Sequence, residues 1–188
     1  MCRILSKEEV EQRKFRKELT KSIFIYPTDT IYGIGCNALD KKLVARIREA
    51  KKSNVQPFSI IAPSKHWIKE NCTLSPEAEA WLKQLPGSFT LILPLKNKDA
   101  VASNVNNGLP TIGVRIPKHW ISKLVEEANV PFITTSANAT GDDIMTCIED
   151  LDPRLKEYVH FVINEGKLIG KPSTLVHLEK EKVQIKER

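Results

Sequence analysis

The sequence predicts an α/β protein built on a mixed β-sheet, and three observations predict it. Short runs rich in β-branched and aromatic residues, among them SIFIY at 22–26, SFTLILPL at 88–95 and TIGVRI at 111–116, are interspersed with helical segments that open on recognisable caps. The succession is irregular, which argues against the strict strand-helix-strand order of a doubly wound parallel sheet. Two predicted strands run out into segments crowded with small hydroxyl and amide side chains, YPTDTIYGIGCNA from Tyr26 and TTSANATG from Thr134. Two polar exits of this kind point to one shared pocket.

Taken in order, Ser6 and Glu9 form an S-x-x-E capping box that opens a basic amphipathic helix reaching about Lys21. Strand Ser22–Tyr26 follows. Pro27 has no N–H for a ladder, and Gly33 and Gly35 let the backbone approach a ligand, so residues 27–38 read as a turn that leaves the sheet. Asp40 caps a helix whose apolar positions Leu43, Val44, Ile47 and Ala50 recur at helical spacing as far as Lys51-Lys52. A strand at 58–62 precedes a short helix from Ser64. Ser75-Pro76-Glu77 then starts another that runs to about Leu85 and stops at Pro86-Gly87. Between the strands at 88–95 and 111–116, the loop with Asn104, Asn106, Asn107 and Gly108 reads as a mobile surface connection. A helix from Lys118 to about Ala128 leads into strand 132–135. Weak helices near Cys147–Leu151 and after Pro153, with strands at 159–164, 174–178 and 183–186, complete the chain.

A chain of 188 residues and 21.3 kDa fits a single domain over 1–188. Its net charge of +6 favours anionic partners such as nucleotides, bicarbonate or RNA, although the basic stretches Arg13–Lys21 and Lys41–Lys52 are also what solvated helix faces look like. Cys2, Cys36, Cys72 and Cys147 form no Cys-x-x-Cys pair, so neither a zinc site nor a disulfide framework is indicated, and a reducing cytoplasm fits. No apolar run approaches the roughly 20 residues needed to span a bilayer, so a soluble, unexported protein without membrane contact is expected.

No P-loop is present: GKLIGK at 166–171 has the wrong glycine spacing and is followed by Pro172. His66, His119, His160 and His177 are scattered, as structural histidines are. The polar candidates that remain, Thr28, Thr30, Lys51, Arg115, Ser136, Asn138, Ser173 and Thr174, suit anions and hydroxyls, and none is an evident general base. Ammonium, guanidinium, hydroxyl and amide donors act by positioning reactants and neutralising phosphate charge, as in phosphoryl and nucleotidyl transfer with a metal bridging the phosphates. Arg115 lies inside a strand run, where a guanidinium needs a carboxylate or phosphate partner, from a ligand or from a structural salt bridge.

YPTDTIYGIGCNA, the alanine-lysine helix end, LPGSFTLIL, TIGVRIPKH and TTSANATG occur here in an order and spacing that resemble the YrdC/TsaC family, the threonylcarbamoyl-AMP synthases, over roughly residues 20–178. The resemblance implies a YrdC-like twisted mixed sheet surrounded by helices, with a concave, positively charged cavity. It implies formation of threonylcarbamoyl-AMP and pyrophosphate from L-threonine, bicarbonate and ATP, normally with Mg2+, for the threonylcarbamoyl modification of tRNA adenosine beside the anticodon. Downstream tRNA threonylcarbamoyl-transfer proteins would receive the product. Carried over by position, Thr30, Arg115 and Ser173 fall to the amino acid, with Arg115 on its carboxylate. Lys51 becomes the catalytic lysine near bicarbonate and phosphate, and Lys52, Thr111, Ser136 and Asn138 fall to the nucleotide.

The family's Lys-x-Arg element reads Lys51-Lys52-Ser53 here, so its arginine is absent; Lys52 supplies charge without the planar fork. Arg188 lies near where a terminal arginine often helps to hold ATP, and the length is too short for the extra C-terminal domain of the family's long form. The missing arginine and the +6 charge also motivate a second expectation, a noncatalytic member that binds tRNA or rRNA, double-stranded RNA included. A third is an adenylating enzyme for another carbamate, which the absence of an acylphosphatase-like or zinc-finger segment disfavours.

Overall fold

The computed structural model describes residues 2–12, 15–53, 55–139 and 141–187, so Arg188 lies outside the described residues. In chain order the elements are β1 (Arg3–Leu5), α1 (Lys7–Val10), α2 (Arg16–Leu19), β2 (Phe24–Tyr26), β3 (Gly33–Gly35), α3 (Lys41–Ala50), β4 (Ser59–Ile61), α4 (Lys65–Asn71), α5 (Pro76–Lys83), β5 (Phe89–Pro94), β6 (Thr111–Arg115), α6 (Ile121–Ala128), β7 (Phe132–Ser136), α7 (Pro153–Lys156), β8 (Phe161–Ile163), β9 (Thr174–His177) and β10 (Gln184–Lys186). The strands join in one mixed sheet of order β1-β8-β2-β3-β7-β4-β6-β5-β9-β10. Parallel pairs (β1 with β8, β8 with β2, β4 with β6, β5 with β9) stand beside antiparallel ones, as the irregular element order predicts.

Strand alternation distributes the apolar residues over two faces. Ile25, Ile34, Ile60, Val114 and Ile133 enter the larger core with Leu43, Val44, Ile47, Ile68 and Leu82 from α3, α4 and α5. Phe24, Tyr26, Ile61 and Phe132 enter the smaller one with Val10, Leu19, Ile121, Leu124 and Val125 from α1, α2 and α6. Phe24 stacks on Phe161 with centroids 5.1 Å apart and meets Phe132 edge-on at 5.7 Å, so the β2-β8 crossing is a rigid aromatic base.

The caps at Asp40, Ser64 and Ser75 form as read: Asp40 accepts from the N–H groups of Lys42 and Leu43, Ser64 from Trp67 and Ser75 from Ala78. The capping box of Ser6 and Glu9 also forms, but its helix ends at Val10 instead of reaching Lys21. Val10, Phe15 and Leu19 all pack into the smaller core. A continuous helix would turn Val10 about 140° away from Phe15, so one helix cannot seat all three. The helix expected from Lys118 starts at Ile121, because the Lys118 N–H is donated to Asp29 Oδ2 at 2.9 Å.

Three further readings change. Gly33-Ile34-Gly35, read as part of a turn, is a central strand paired with both β2 and β7. A Cβ on Gly35 would lie 2.0 Å from the Ile133 carbonyl oxygen, so only glycine permits this approach. The N-terminal strand β1 carries no alternating signal and was not anticipated. The asparagine loop at 104–108, read as mobile, is tied down: buried Asn106 donates to the carbonyls of Leu109 and Thr111, and Val105 is fully buried. No helix among the described residues is long and apolar enough to cross a membrane.

Candidate active site

The two polar exits meet because β3 pairs antiparallel with β7, which sets Gly33 opposite Ser136 and Ile34 opposite Thr135. Between them opens a cavity of about 350 Å3, within the range of small-molecule sites. Thr30, Lys51, Arg115, Ser136, Asn138 and Ser173 all line it. Lys51 and Arg115 are the charged members of that lining, and both are cations. Lys52 and Thr111 are not in the lining. Lys52 is exposed at φ +50°, the left-handed residue just past α3, and Thr111 opens β6 opposite Pro94. Thr174, paired with Phe89 at the start of β9, is also outside the lining, whereas Thr28 is in it.

At one end, Arg115 is 5% exposed. Its Nη2 bonds Asp29 Oδ1 at 2.5 Å and its Nη1 donates to Thr30 Oγ1 at 3.4 Å, so the salt bridge open to a buried strand arginine does form. Asp29 was not singled out from the sequence, where it is the one carboxylate of the 26–38 segment and nothing ties it to Arg115. Arg115 Nε is buried without a hydrogen-bond partner among the described residues, and an orphan donor is costly unless something accepts from it. Burial pulls the Arg115 guanidinium below its ordinary range, and Asp29 works in the opposite direction. Thr28 and Thr30 share a hydroxyl contact at 2.8 Å, and Thr28 Oγ1 donates to the Ile31 carbonyl.

The roof of this end is the segment that follows β8. Glu165 accepts from His119 Nε2 and Trp120 Nε1, the Glu165 N–H reaches Tyr32 Oη, and Tyr32 Oη donates to the Gly166 carbonyl. Ser173 Oγ lies 2.8 Å from Thr90 Oγ1. Between these anchors Gly170 packs so tightly that a Cβ there would stand 1.9 Å from the Thr30 carbonyl oxygen.

At the other end, Lys51 caps the C-terminus of α3 and crosses to the second exit, where its Nζ donates to the Ser136 carbonyl at 2.7 Å and the Asn138 carbonyl at 2.5 Å. Burial lowers its ammonium to about 8. Asn138 Nδ2 donates to the Asp142 carbonyl, while its buried Oδ1 has no hydrogen-bond partner among the described residues. Ser53, where the family arginine was expected, is buried and lines the cavity with Gln56 and Phe58. The histidines take structural contacts: His66 with Glu70, His177 with Glu179, and His160 Nδ1 accepting from the Ile23 N–H. A second, open groove carries Arg3, Arg46 and Lys156 but also Glu18 and Glu157, and Arg3 already pairs with Glu18. That mixture of charge does not single out phosphate.

Residues 19–188 match the family model for Sua5, YciO and YrdC proteins, which carries the description telomere recombination. The chain belongs to the Sua5/YciO/YrdC family. A Methanocaldococcus jannaschii relative is 34% identical over 191 residues, covering 97% of this chain and 89% of that one. The threonylcarbamoyl-AMP synthase of Pyrococcus abyssi is 35% identical over 158 residues, 81% of this chain but 46% of its own length. Against that curated relative the chain spans about half the length. Sua5 of P. abyssi, crystallised in complex with L-threonine, superposes with a TM-score of 0.86 at 29% identity, over 98% of this chain and 56% of that one. The sequence resemblance to YrdC proteins and the mixed-sheet fold it implied are both borne out.

Proposed function

We propose that this chain is a threonylcarbamoyl-AMP synthase of the cytoplasm, a nucleotidyltransferase that joins L-threonine, bicarbonate and ATP and releases pyrophosphate. The observation that carries the reading is the gathering of Thr30, Arg115 and Ser173 with Lys51, Ser136 and Asn138 around one cavity, in a fold that matches a threonine-bound Sua5. Arg115, oriented by Asp29, offers a buried N–H to the amino-acid carboxylate, and the Thr30 and Ser173 hydroxyls flank it. Lys51 brings positive charge to the opposite end for bicarbonate and phosphate, and Ser136 and Asn138 face the nucleotide.

In the first step the threonine amine attacks the carbon of bicarbonate, forming a carbamate with loss of water. A carbamate oxygen then attacks the α-phosphorus of ATP, the bond to the β-phosphate oxygen breaks, and pyrophosphate leaves. No general base in the cavity is required beyond solvent and the carbamate itself, so positioning and charge carry the catalysis. No group of three or more His, Cys, Asp and Glu side chains gathers among the described residues, and the charged lining is cationic. These residues do not fit a protein-held magnesium ion; Mg2+ belongs in the reading as the companion of ATP.

The adenylate would pass to tRNA threonylcarbamoyl-transfer proteins. With threonine, bicarbonate, ATP and Mg2+, the purified protein should release pyrophosphate only when threonine is present. Release without threonine, or none, overturns the reading. Direct RNA contact rests on the net charge of +6. It would show as binding that weakens steeply across a salt series, and salt-insensitive or undetectable binding removes it.

A further inference from the structure

Arg48 is a buried cation that the cavity does not display. It stands in the last turn of α3, 7% exposed, and its guanidinium donates four hydrogen bonds, every one to a backbone carbonyl. Nε reaches Asn104 at 2.7 Å, Nη1 reaches Ser53 at 3.0 Å and Gln56 at 2.9 Å, and Nη2 reaches Val105 at 2.9 Å. The guanidinium carbon sits 4.3 Å from the centroid of the Phe58 ring. Among the described residues no carboxylate pairs with it.

The acceptors belong to two loops. Ser53 and Gln56 lie in the stretch from α3 to β4, whose residues Ser53, Gln56, Pro57 and Phe58 form one wall of the cavity. Asn104 and Val105 lie in the asparagine loop, which is bound to that stretch again by Phe58 N–H to the Val105 carbonyl and Asn107 Nδ2 to the Val55 carbonyl, both at 2.9 Å. Ser53 is held from both sides, since its N–H bonds the Arg48 carbonyl at 3.0 Å while its own carbonyl accepts from the Arg48 guanidinium. A lysine cannot span these acceptors, because four bonds in four directions need the planar fork.

We propose that Arg48 is a positioning residue for the phosphate-binding wall, acting through the 53–58 stretch without touching the ligand. The identity of that ligand as the ATP polyphosphate rests on the synthase reading. The wall that Arg48 holds adjoins Lys51, whereas the amino-acid end is built on Thr30, Arg115 and Ser173 from other elements. Loss of the clasp should therefore separate the two substrates.

The test is calorimetric titration of wild type and Arg48→Lys with inorganic pyrophosphate and, separately, with L-threonine, alongside thermal melting and KM for both substrates. Pyrophosphate affinity should fall at least about tenfold, since small displacements of positioning groups cost that much or more, with threonine affinity changed less than about twofold and the KM for ATP rising in parallel. A variant that melts earlier but keeps its pyrophosphate affinity, or loses both affinities together, overturns the proposal. Should Arg48→Lys fail to fold, Asn107→Ala, which loosens the same stretch at Val55, should weaken pyrophosphate about threefold with threonine unchanged, and equal binding of pyrophosphate then overturns it. Wild type that binds both ligands yet releases no pyrophosphate would overturn the synthase reading and leave the Arg48 comparison intact.

Discussion

Arg115 and Arg48 are both buried guanidinium groups, the first in the cavity lining and the second outside it, and they are satisfied in opposite ways. Arg115 meets a carboxylate, Asp29, and keeps one buried N–H without a hydrogen-bond partner among the described residues. Arg48 meets carbonyl oxygens and the Phe58 ring, with no carboxylate among the described residues. At the first end the guanidinium charge is balanced by Asp29, and on the synthase reading what remains to Arg115 is direction. At the second, Lys51 donates to two backbone carbonyls as Arg48 does to four, an arrangement that on the synthase reading would leave positive charge for phosphate. On the synthase reading, one cavity would treat an amino acid and a polyphosphate differently with similar side chains.

The largest effect is expected at the balanced end. Arg115→Leu should abolish threonine-dependent pyrophosphate release, a loss of at least about a hundredfold. It should also cost about 1.5–3 kcal/mol of stability in chemical denaturation, because the partly buried Asp29 loses its guanidinium partner and keeps the Lys118 N–H. Adding Asp29→Asn should restore most of that stability and none of the activity. Activity returning along with stability would mean that Arg115 is structural.

At the cationic end, Lys51→Met should lower activity by about a hundredfold through loss of phosphate stabilisation. In wild type the KM for ATP should rise as pH climbs through about 8, where folded Lys51 gives up its proton, and the Met variant should lack that dependence. The stability effect has the opposite sign. The folded lysine is depressed from 10.5 to about 8, so between those values the unfolded chain binds more protons and wild type gains stability as pH rises. A flat ATP profile in wild type would place the relevant charge elsewhere.

A smaller and more selective change is expected from Gly170→Ala. Its Cβ would collide with the Thr30 carbonyl, so the roof must lift from the amino-acid end, raising the KM for threonine about tenfold by misplacement with the KM for ATP unchanged. Equal changes in both would show that the roof spans the whole cavity. The smallest effect concerns Lys52. It holds the left-handed position of a Schellman turn in which Lys52 N–H bonds Glu49 and Ser53 N–H bonds Arg48. Lys52→Gly should stabilise the fold by about 0.5–1 kcal/mol, the left-handed strain less the entropy of glycine, and leave the KM for ATP alone. A rise in that KM would return Lys52 to the nucleotide.

Much of the candidate site was legible because its residues are chemically conspicuous in local context. Arg115 is a charge inside a strand, Lys51 closes an amphipathic helix, and Ser136 and Asn138 end a strand on polar ground. Lys52 and Thr111 were placed by position relative to a motif, and the turn after α3 and the register of β6 put both outside the cavity lining. Arg48 was unreadable, because a charged residue on a helix with a basic end looks like a solvated one until the loops that cover it are known. Gly33-Ile34-Gly35 was misread for a related reason. Glycine is unfavourable in strands, and only the closeness of Tyr26 and Ile133 makes it necessary here.

The amino-acid sequence was enough for whatever depends on neighbours a few residues apart. The caps of α3, α4 and α5, the stop at Pro86-Gly87, the two-residue alternation of the strands and the polar character of both exits are all of this kind, since their hydrogen bonds and periodicities close within a few residues. Tertiary structure alone decided the partnerships that make a site of them. Arg115 finds Asp29 from 86 residues away, Lys51 finds Ser136 from 85, and Arg48 finds Val105 from 57. Those meetings follow from sheet order and strand register, which are set by burying two apolar faces at once and leave no trace in the spacing of the polar residues they bring together.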